Sequence, residues 1–273
     1  IPIMNRFKPD NKEELRQAVK YYCKDIDKGI EKYGIINDWD VSEITDMSYL
    51  FSNLNYFNEP INNWDVSNVE NMECMFEFCL NFNQPLNNWD VSNVENMAGM
   101  FEICEKINQP LNNWTVSKVE NMDSMFSYCS IFNQSLNNWN VSKVENMSFM
   151  FYNCIKFNQP LNNWDVSKVE NMEDIFYCCI KFNQPLNNWD ISNVKNMNYM
   201  FYNCIIEIIN KPGFITLPSI LYKYLNDEDK SENTTCPISI IEFTDDTEII
   251  KTTCNHIFEK ESLELWLDNG KNN

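Results

Sequence analysis

The chain has 273 residues, a hydrophobic content of 44% and a formal net charge of -19 at pH 7. That apolar content supports a buried core and excludes a disordered chain, while the acidic balance repels phosphate backbones and anionic lipid and so argues against nucleic-acid partners. No apolar run reaches bilayer-spanning length and Ile1 to Lys8 lacks a secretory-signal pattern, so neither membrane insertion nor export is expected.

Residues 1–35 carry 8 basic and 6 acidic side chains. Within them, Asn11 to Lys32 predicts one amphipathic helix, with Leu15, Val19, Tyr22, Ile26 and Ile30 on one side and Asp10 as its N-cap. A helix placed just before a repeat array hides the open end of the array's core, so 1–35 is expected to be an amino-terminal helical cap.

From here the chain repeats. Tryptophan returns at a constant interval, at Trp39, Trp64, Trp89, Trp114, Trp139, Trp164 and Trp189, each inside the phrase L-N-N-W-D-V-S-N-V-E-N-M-A-G-M-F-E-I-C-E-K-I-N-Q-P as it stands from Leu86. A unit of this size cannot bury its own apolar face, so the seven units of 36–206 are expected to stack as a solenoid. They carry 7 basic and 21 acidic side chains, which makes the repeats a main source of the negative charge. Asn makes up about one residue in six of the chain, a bias that polar stacking along such an array absorbs.

Within a unit, Trp89 and Val91 alternate with Asn88 and Asp90, which predicts a short half-buried strand with the indoles in an inner column. Val94, Met97, Met100 or Phe101, and Cys104 follow at helical spacing, which predicts a short helix from about Val94 to Cys104. Ser92 and Glu95, repeated as Ser67/Glu70, Ser117/Glu120, Ser142/Glu145 and Ser167/Glu170, have the spacing of a capping box at its start. The predicted fold class is therefore an α/β repeat, one parallel strand and one short helix per unit. On this scheme Trp114 is a core residue and Asp123 a solvated one.

Cys79, Cys104, Cys129, Cys154, Cys179 and Cys204 keep the period, and the total of 11 Cys is odd. This pattern is that of a buried thiol column rather than a disulfide framework, and it points to a reducing, intracellular compartment. The pairs between the two Met positions differ in every unit, from Glu73-Cys74 and Asp123-Ser124 to Ser148-Phe149, Glu173-Asp174 and Asn198-Tyr199. They are expected on the outer face, where Phe149, Tyr152, Tyr199 and Tyr202 are candidate anchors for a protein partner. The Asp residues that follow most of the tryptophans, such as Asp65 and Asp165, are better explained by hydrogen bonding and solvation than by calcium.

The order W-x-V-S, M-F-x-x-C and F-N-Q-P resembles the leucine-rich repeats of the BspA type, in the form found in mycoplasma and other bacterial surface proteins and in giant viruses of amoebae. The resemblance covers the seven units and implies an arc-shaped leucine-rich-repeat solenoid. If the source is viral, host cytoplasm or the virion is the implied location.

After Cys204 the phrase breaks into an apolar stretch with Pro212, Gly213 and Pro218, then the charged run Asn226 to Asn233, so 207–233 is expected to be a carboxy-terminal cap and linker. The tail, 234–273, holds Cys236-Pro237-Ile238, Cys254-Asn255-His256-Ile257-Phe258 and Leu263 to Leu267 with Trp266. These motifs resemble the RING finger and its U-box relatives, in which Cys and His side chains hold zinc. Carried over, Cys236, Cys254 and His256 match zinc ligands, and Ile238 and Trp266 match the contacts to a ubiquitin-conjugating E2 enzyme. Ser239, Glu259 and Ser262 stand where a complete RING has Cys or His, and no final C-P-x-C pair is present, so the implied zinc set is incomplete.

His256 is the only histidine, which leaves no His-based catalytic dyad elsewhere. The expected function is a non-catalytic protein-interaction scaffold. Two others stay open: a ubiquitin ligase whose repeats bind substrate while the tail recruits an E2, and a structural protein of a virion or cell surface.

Overall fold

The structure is a computed structural model that describes residues 6–207, 210–212, 220–221, 247–251 and 257–259. Its order begins with two helices, α1 (Lys12–Lys24) and α2 (Ile26–Tyr33), and a short 3-10 turn, Ile36–Asp38. Beyond residue 207, three short strands form an antiparallel sheet in the order β1 (Ile220–Leu221), β2 (Glu248–Lys251) and β3 (Ile257–Glu259).

The amino-terminal segment differs from the single helix expected. Asn11, not Asp10, is the N-cap: its side chain accepts from the Glu14 N–H at 3.0 Å, while the Asp10 N–H donates to the Glu14 carboxylate at 2.7 Å. The Asn11 side chain thus caps the first turn, while the Glu14 carboxylate ties back the residue before the cap. Asp25 turns extended, with φ -156°, and its carboxylate accepts from the Lys28 N–H to start α2. This break changes the helical phase, so Leu15, Ala18, Val19 and Tyr22 of α1 are buried while Ile26 and Ile30 are exposed. Gly29 lets α2 cross close over Tyr22, because a Cβ there would lie 2.7 Å from the tyrosine. The two helices and Phe7 cover the first repeat, with Tyr22, Tyr33 and Phe7 edge-on to Trp39.

The repeats themselves contain neither the expected strand nor the expected helix: among the described residues, 39–207 are turns and six isolated parallel bridges, from Asp46↔Asn71 to Asn171↔Asn196. From Met97 to Ile103, alternate backbone N–H groups donate to the next coil, Met97 to the Asn121 carbonyl, Gly99 to Asp123, Phe101 to Met125 and Ile103 to Ser127, at 2.7–3.0 Å. Those N–H groups are therefore withdrawn from any i→i-4 bond. Within the coil the chain closes tight turns instead, Met100 N–H to the Met97 carbonyl and Cys104 N–H to the Phe101 carbonyl. Chained turns return the backbone every few positions, so the apolar spacing that predicted a helix is met without one. The third residue of each turn is left-handed, as at Gly99 (φ 60°) and Ile103 (φ 59°), and as the type II turn requires.

The Ser–Glu pair forms no capping box. Ser67 and Ser167 donate through both N–H and hydroxyl to the Asp two positions earlier, and the Glu95 N–H serves the coil ladder by donating to the Glu70 carbonyl. Asp123 is not simply solvated: it is half-buried and accepts from the hydroxyls of Ser124 and Ser148.

Every repeat tryptophan is buried, and from Trp64 onward each indole N–H donates to a carbonyl of the preceding coil, for example Trp114 to Leu86 at 3.0 Å. The Cys column does the same: the Cys104 thiol donates to the Phe76 carbonyl at 3.0 Å and Cys154 to Phe126 at 2.9 Å. Both columns thus give a second donor to carbonyls that already accept a turn N–H, as Leu86 does from Trp89 and Phe76 from Cys79. At the centre of the core lies a phenylalanine stack, Phe51 through Phe201, with successive rings 5.2–5.9 Å apart.

Two outcomes follow for stability. Trp114→Ala should cost about 3–5 kcal/mol in a urea titration, through the cavity it leaves and the loss of the indole hydrogen bond to the Leu86 carbonyl. Gly99→Ala should cost about 2 kcal/mol, because the site is left-handed and the new methyl would lie 2.7 Å from the Cys74 sulfur. Adding Cys74→Ala should recover the steric share of that loss and leave the conformational share.

Candidate functional site

The left-handed turn positions set the outer face. One column runs Tyr49, Cys74, Gly99, Ser124, Phe149, Asp174 and Tyr199, and three positions further on a second column runs Ser52, Glu77, Glu102, Ser127, Tyr152, Tyr177 and Tyr202. After Tyr49 these columns are small or acidic as far as Ser127; toward the carboxy end they become mostly aromatic. The change opens a groove of about 530 Å³ between Glu102 and Tyr202.

The second column forms its wall. Tyr152 and Tyr177 stack at 4.6 Å and 7°, Tyr177 and Tyr202 at 4.8 Å and 14°, and Tyr128 closes one end at 5.2 Å from Tyr152. These distances are the spacing of the coils themselves, so the coil ladder dictates the stack. Burial, reinforced by Tyr128, pushes the Tyr152 hydroxyl up to about 12, which keeps it a neutral donor. Phe149 and Tyr199 stand in front, 5.9 Å and 6.1 Å from the second-column tyrosine of their own coil.

Asp174 lies between Phe149 and Tyr199, one coil from each. Its backbone is locked by the ladder, N–H to the Asn198 carbonyl at 2.9 Å, with φ 53°. Only 9% of the residue is exposed, and its Oδ1 is buried without a hydrogen-bond partner. Burial, with the charge of Glu173, holds its carboxyl above the usual range; burial, with Glu77 and Asp123, does the same for Glu102 at the far end.

The four aromatic residues expected on the outer face, Phe149, Tyr152, Tyr199 and Tyr202, all line this groove. They do so on turns rather than a helix; Tyr199 is exposed and the other three are half-buried. Asp174, Tyr177, Tyr128 and Glu102 complete the lining and were missed. The sequence signal for Tyr177 was its place one repeat from both Tyr152 and Tyr202; Asp174 stands equally between Phe149 and Tyr199. The cysteines of the described residues are free thiols. Burial raises Cys104, Cys154 and Cys179 well above the ordinary thiol value and Cys74 to about 12, so these are protonated side chains and not nucleophiles. Cys236, Ile238, Cys254, His256 and Trp266 lie outside the described residues.

The family described as "Mycoplasma protein of unknown function, DUF285" matches residues 20–139 and 104–210, together most of the chain. The chain belongs to this family. DUF285 is associated with BspA-like surface repeat proteins, in keeping with the repeat phrase. No match was found among curated proteins or among solved structures. Among the described residues of this DUF285 chain, no helix is long and apolar enough to cross a membrane.

A partnerless buried carboxylate is a stability cost that the DUF285 chain carries in this groove. Because the folded-state carboxyl of Asp174 is raised, the penalty is full above that raised value and absent below the unfolded carboxylate range near ~3.9. Asp174→Asn, which keeps the shape and tolerates the left-handed backbone, should therefore stabilise the fold by about 1 kcal/mol at neutral pH. The gain over the parent should shrink as pH falls, read from paired urea titrations.

Proposed function

We propose that this chain is a non-catalytic protein-interaction scaffold, an array of the BspA leucine-rich-repeat type, whose binding face is the tyrosine strip from Tyr128 to Tyr202. The observation that carries this reading is the contrast between columns. Trp, Cys and the first of the two Met positions scarcely change from unit to unit, while the outer positions switch to aromatic side chains over consecutive coils and line one open groove. Stacked, half-buried tyrosines offer large rigid contact area at low entropic cost, as interface anchors do. The acidity of the repeats argues against nucleic acid as the occupant.

The family's association with surface repeat proteins supports a variant of this reading, the same scaffold displayed on a cell or particle surface. A second reading rests on the tail motifs Cys236-Pro237-Ile238 and Cys254-Asn255-His256 with Trp266: E2 recruitment by a RING-like module holding zinc. Elemental analysis for zinc and an E2-dependent autoubiquitination assay test it, and the loss of both metal and activity would end it.

For the scaffold, a photo-crosslinking residue placed at position 199 in the organism of origin should give a discrete protein adduct. The same residue at exposed position 120, away from the groove, should not. Equal labelling from both positions would remove the tyrosine strip as the binding face.

A further inference from the structure

The groove has a chemical polarity that apolar docking does not explain. Phe149 and Tyr199 are two coils apart in one column, roughly 10 Å between their backbones, so the slot between them is wide enough for one flat group. At its floor is the Asp174 carboxyl, buried, with Oδ1 accepting nothing. A buried acceptor left empty asks for a donor, and a carboxylate flanked by π-faces asks for a cationic one. A quaternary ammonium carries no N–H to give. A guanidinium does: it is planar, weakly hydrated, stacks on aromatic rings and offers paired N–H groups to a carboxylate.

We propose that the groove seats an arginine side chain from a basic segment of a protein partner, its guanidinium between Phe149 and Tyr199 and hydrogen-bonded to the Asp174 carboxylate. This rests on the reading of the strip as a protein-binding face. Charge complementarity supports the occupant: residues 36–206 hold 21 acidic against 7 basic side chains, and the same groove has a second half-buried carboxylate, Glu102, at its other end. Glu102 lies three coils from Asp174 along the stack, about 14 Å. An extended chain covers that distance in about four residues, so a basic segment with arginines four apart meets both carboxylates.

The test uses the full chain and a blocked peptide, Arg-Gly-Ser-Gly-Arg, in titration calorimetry at about 0.15 M salt, where diffuse attraction is screened. The arginine peptide should bind, and the same peptide with citrulline for arginine, neutral but similar in shape, should bind about ten-fold more weakly or worse. Asp174→Asn should cost a similar factor without lowering the melting temperature. Asp165→Asn removes an exposed carboxylate at the position where Asn140 already stands one unit earlier, and it should change affinity less than about two-fold.

Equal losses in the two variants would mean general attraction to an acidic surface and would overturn the proposal. So would a citrulline peptide that binds like its parent, or a lysine peptide that binds more tightly than the arginine one. If crosslinks form at position 199 while all peptides fail, the scaffold reading stands and the arginine site falls. If no crosslinks form there but the arginine peptide binds through Asp174, the site stands as a basic-ligand site without its proposed biological face.

Discussion

The structure depends on one constraint: alternate backbone N–H groups in each unit donate to carbonyls of the adjoining coil, at a constant offset set by the repeat period. A hydrogen-bond ladder of this kind places like residues above one another, and each column of side chains becomes a stack. Phe51 through Phe201 pile ring on ring, the indoles of Trp114 and Trp139 lie 6.3 Å apart and nearly parallel, and asparagines accept from the backbone of the coil above, as Asn133 does from Asn158. Side-chain N–H and S–H groups of the Trp and Cys columns then reach back across the coils as second donors to turn carbonyls. Among the described residues few buried side-chain polar atoms stay unpaired, and that makes the one in the groove stand out.

The same ladder has a cost. Two positions per unit are held left-handed, and in most units the residue there is not glycine. Each such residue costs about 1–2 kcal/mol against its preferred conformation. The outward column therefore pays in backbone strain for freedom of side chain: glycine would be easier there, yet Phe149, Asp174 and Tyr199 occupy it. In this groove that strain coincides with an unpaired carboxyl on a face lined by aromatic rings, so stability is given up locally.

The amino-terminal helices show how the array is ended. Tyr22, Tyr33 and Phe7 meet Trp39, which has no preceding coil to stack on, in T-shaped contacts. Lys12 and Lys8 pair with Asp46 and Glu43 of the first coil, so the basic cap meets the acidic array across its rim.

The order of amino acids was enough to specify the period, the inward columns of Trp, Phe, Met and Cys, the covering segment before the first unit, and the outward aromatics at 149, 152, 199 and 202. All of these follow from composition and from local spacing, which decide whether a side chain belongs inside or outside. Long-range contacts settled what remained. Val94, Met97, Met100 and Cys104 satisfy the spacing of a helix and of chained turns equally, and the choice lies with carbonyl partners in the next coil that no local pattern reveals. The break at Asp25, which turns Ile26 and Ile30 outward, depends likewise on α2 lying over Tyr22. Asp174 looked like one more varying polar residue until the coil spacing placed it between two aromatic rings with nothing to accept, because a missing partner is a property of what surrounds a residue and not of its neighbours in the chain.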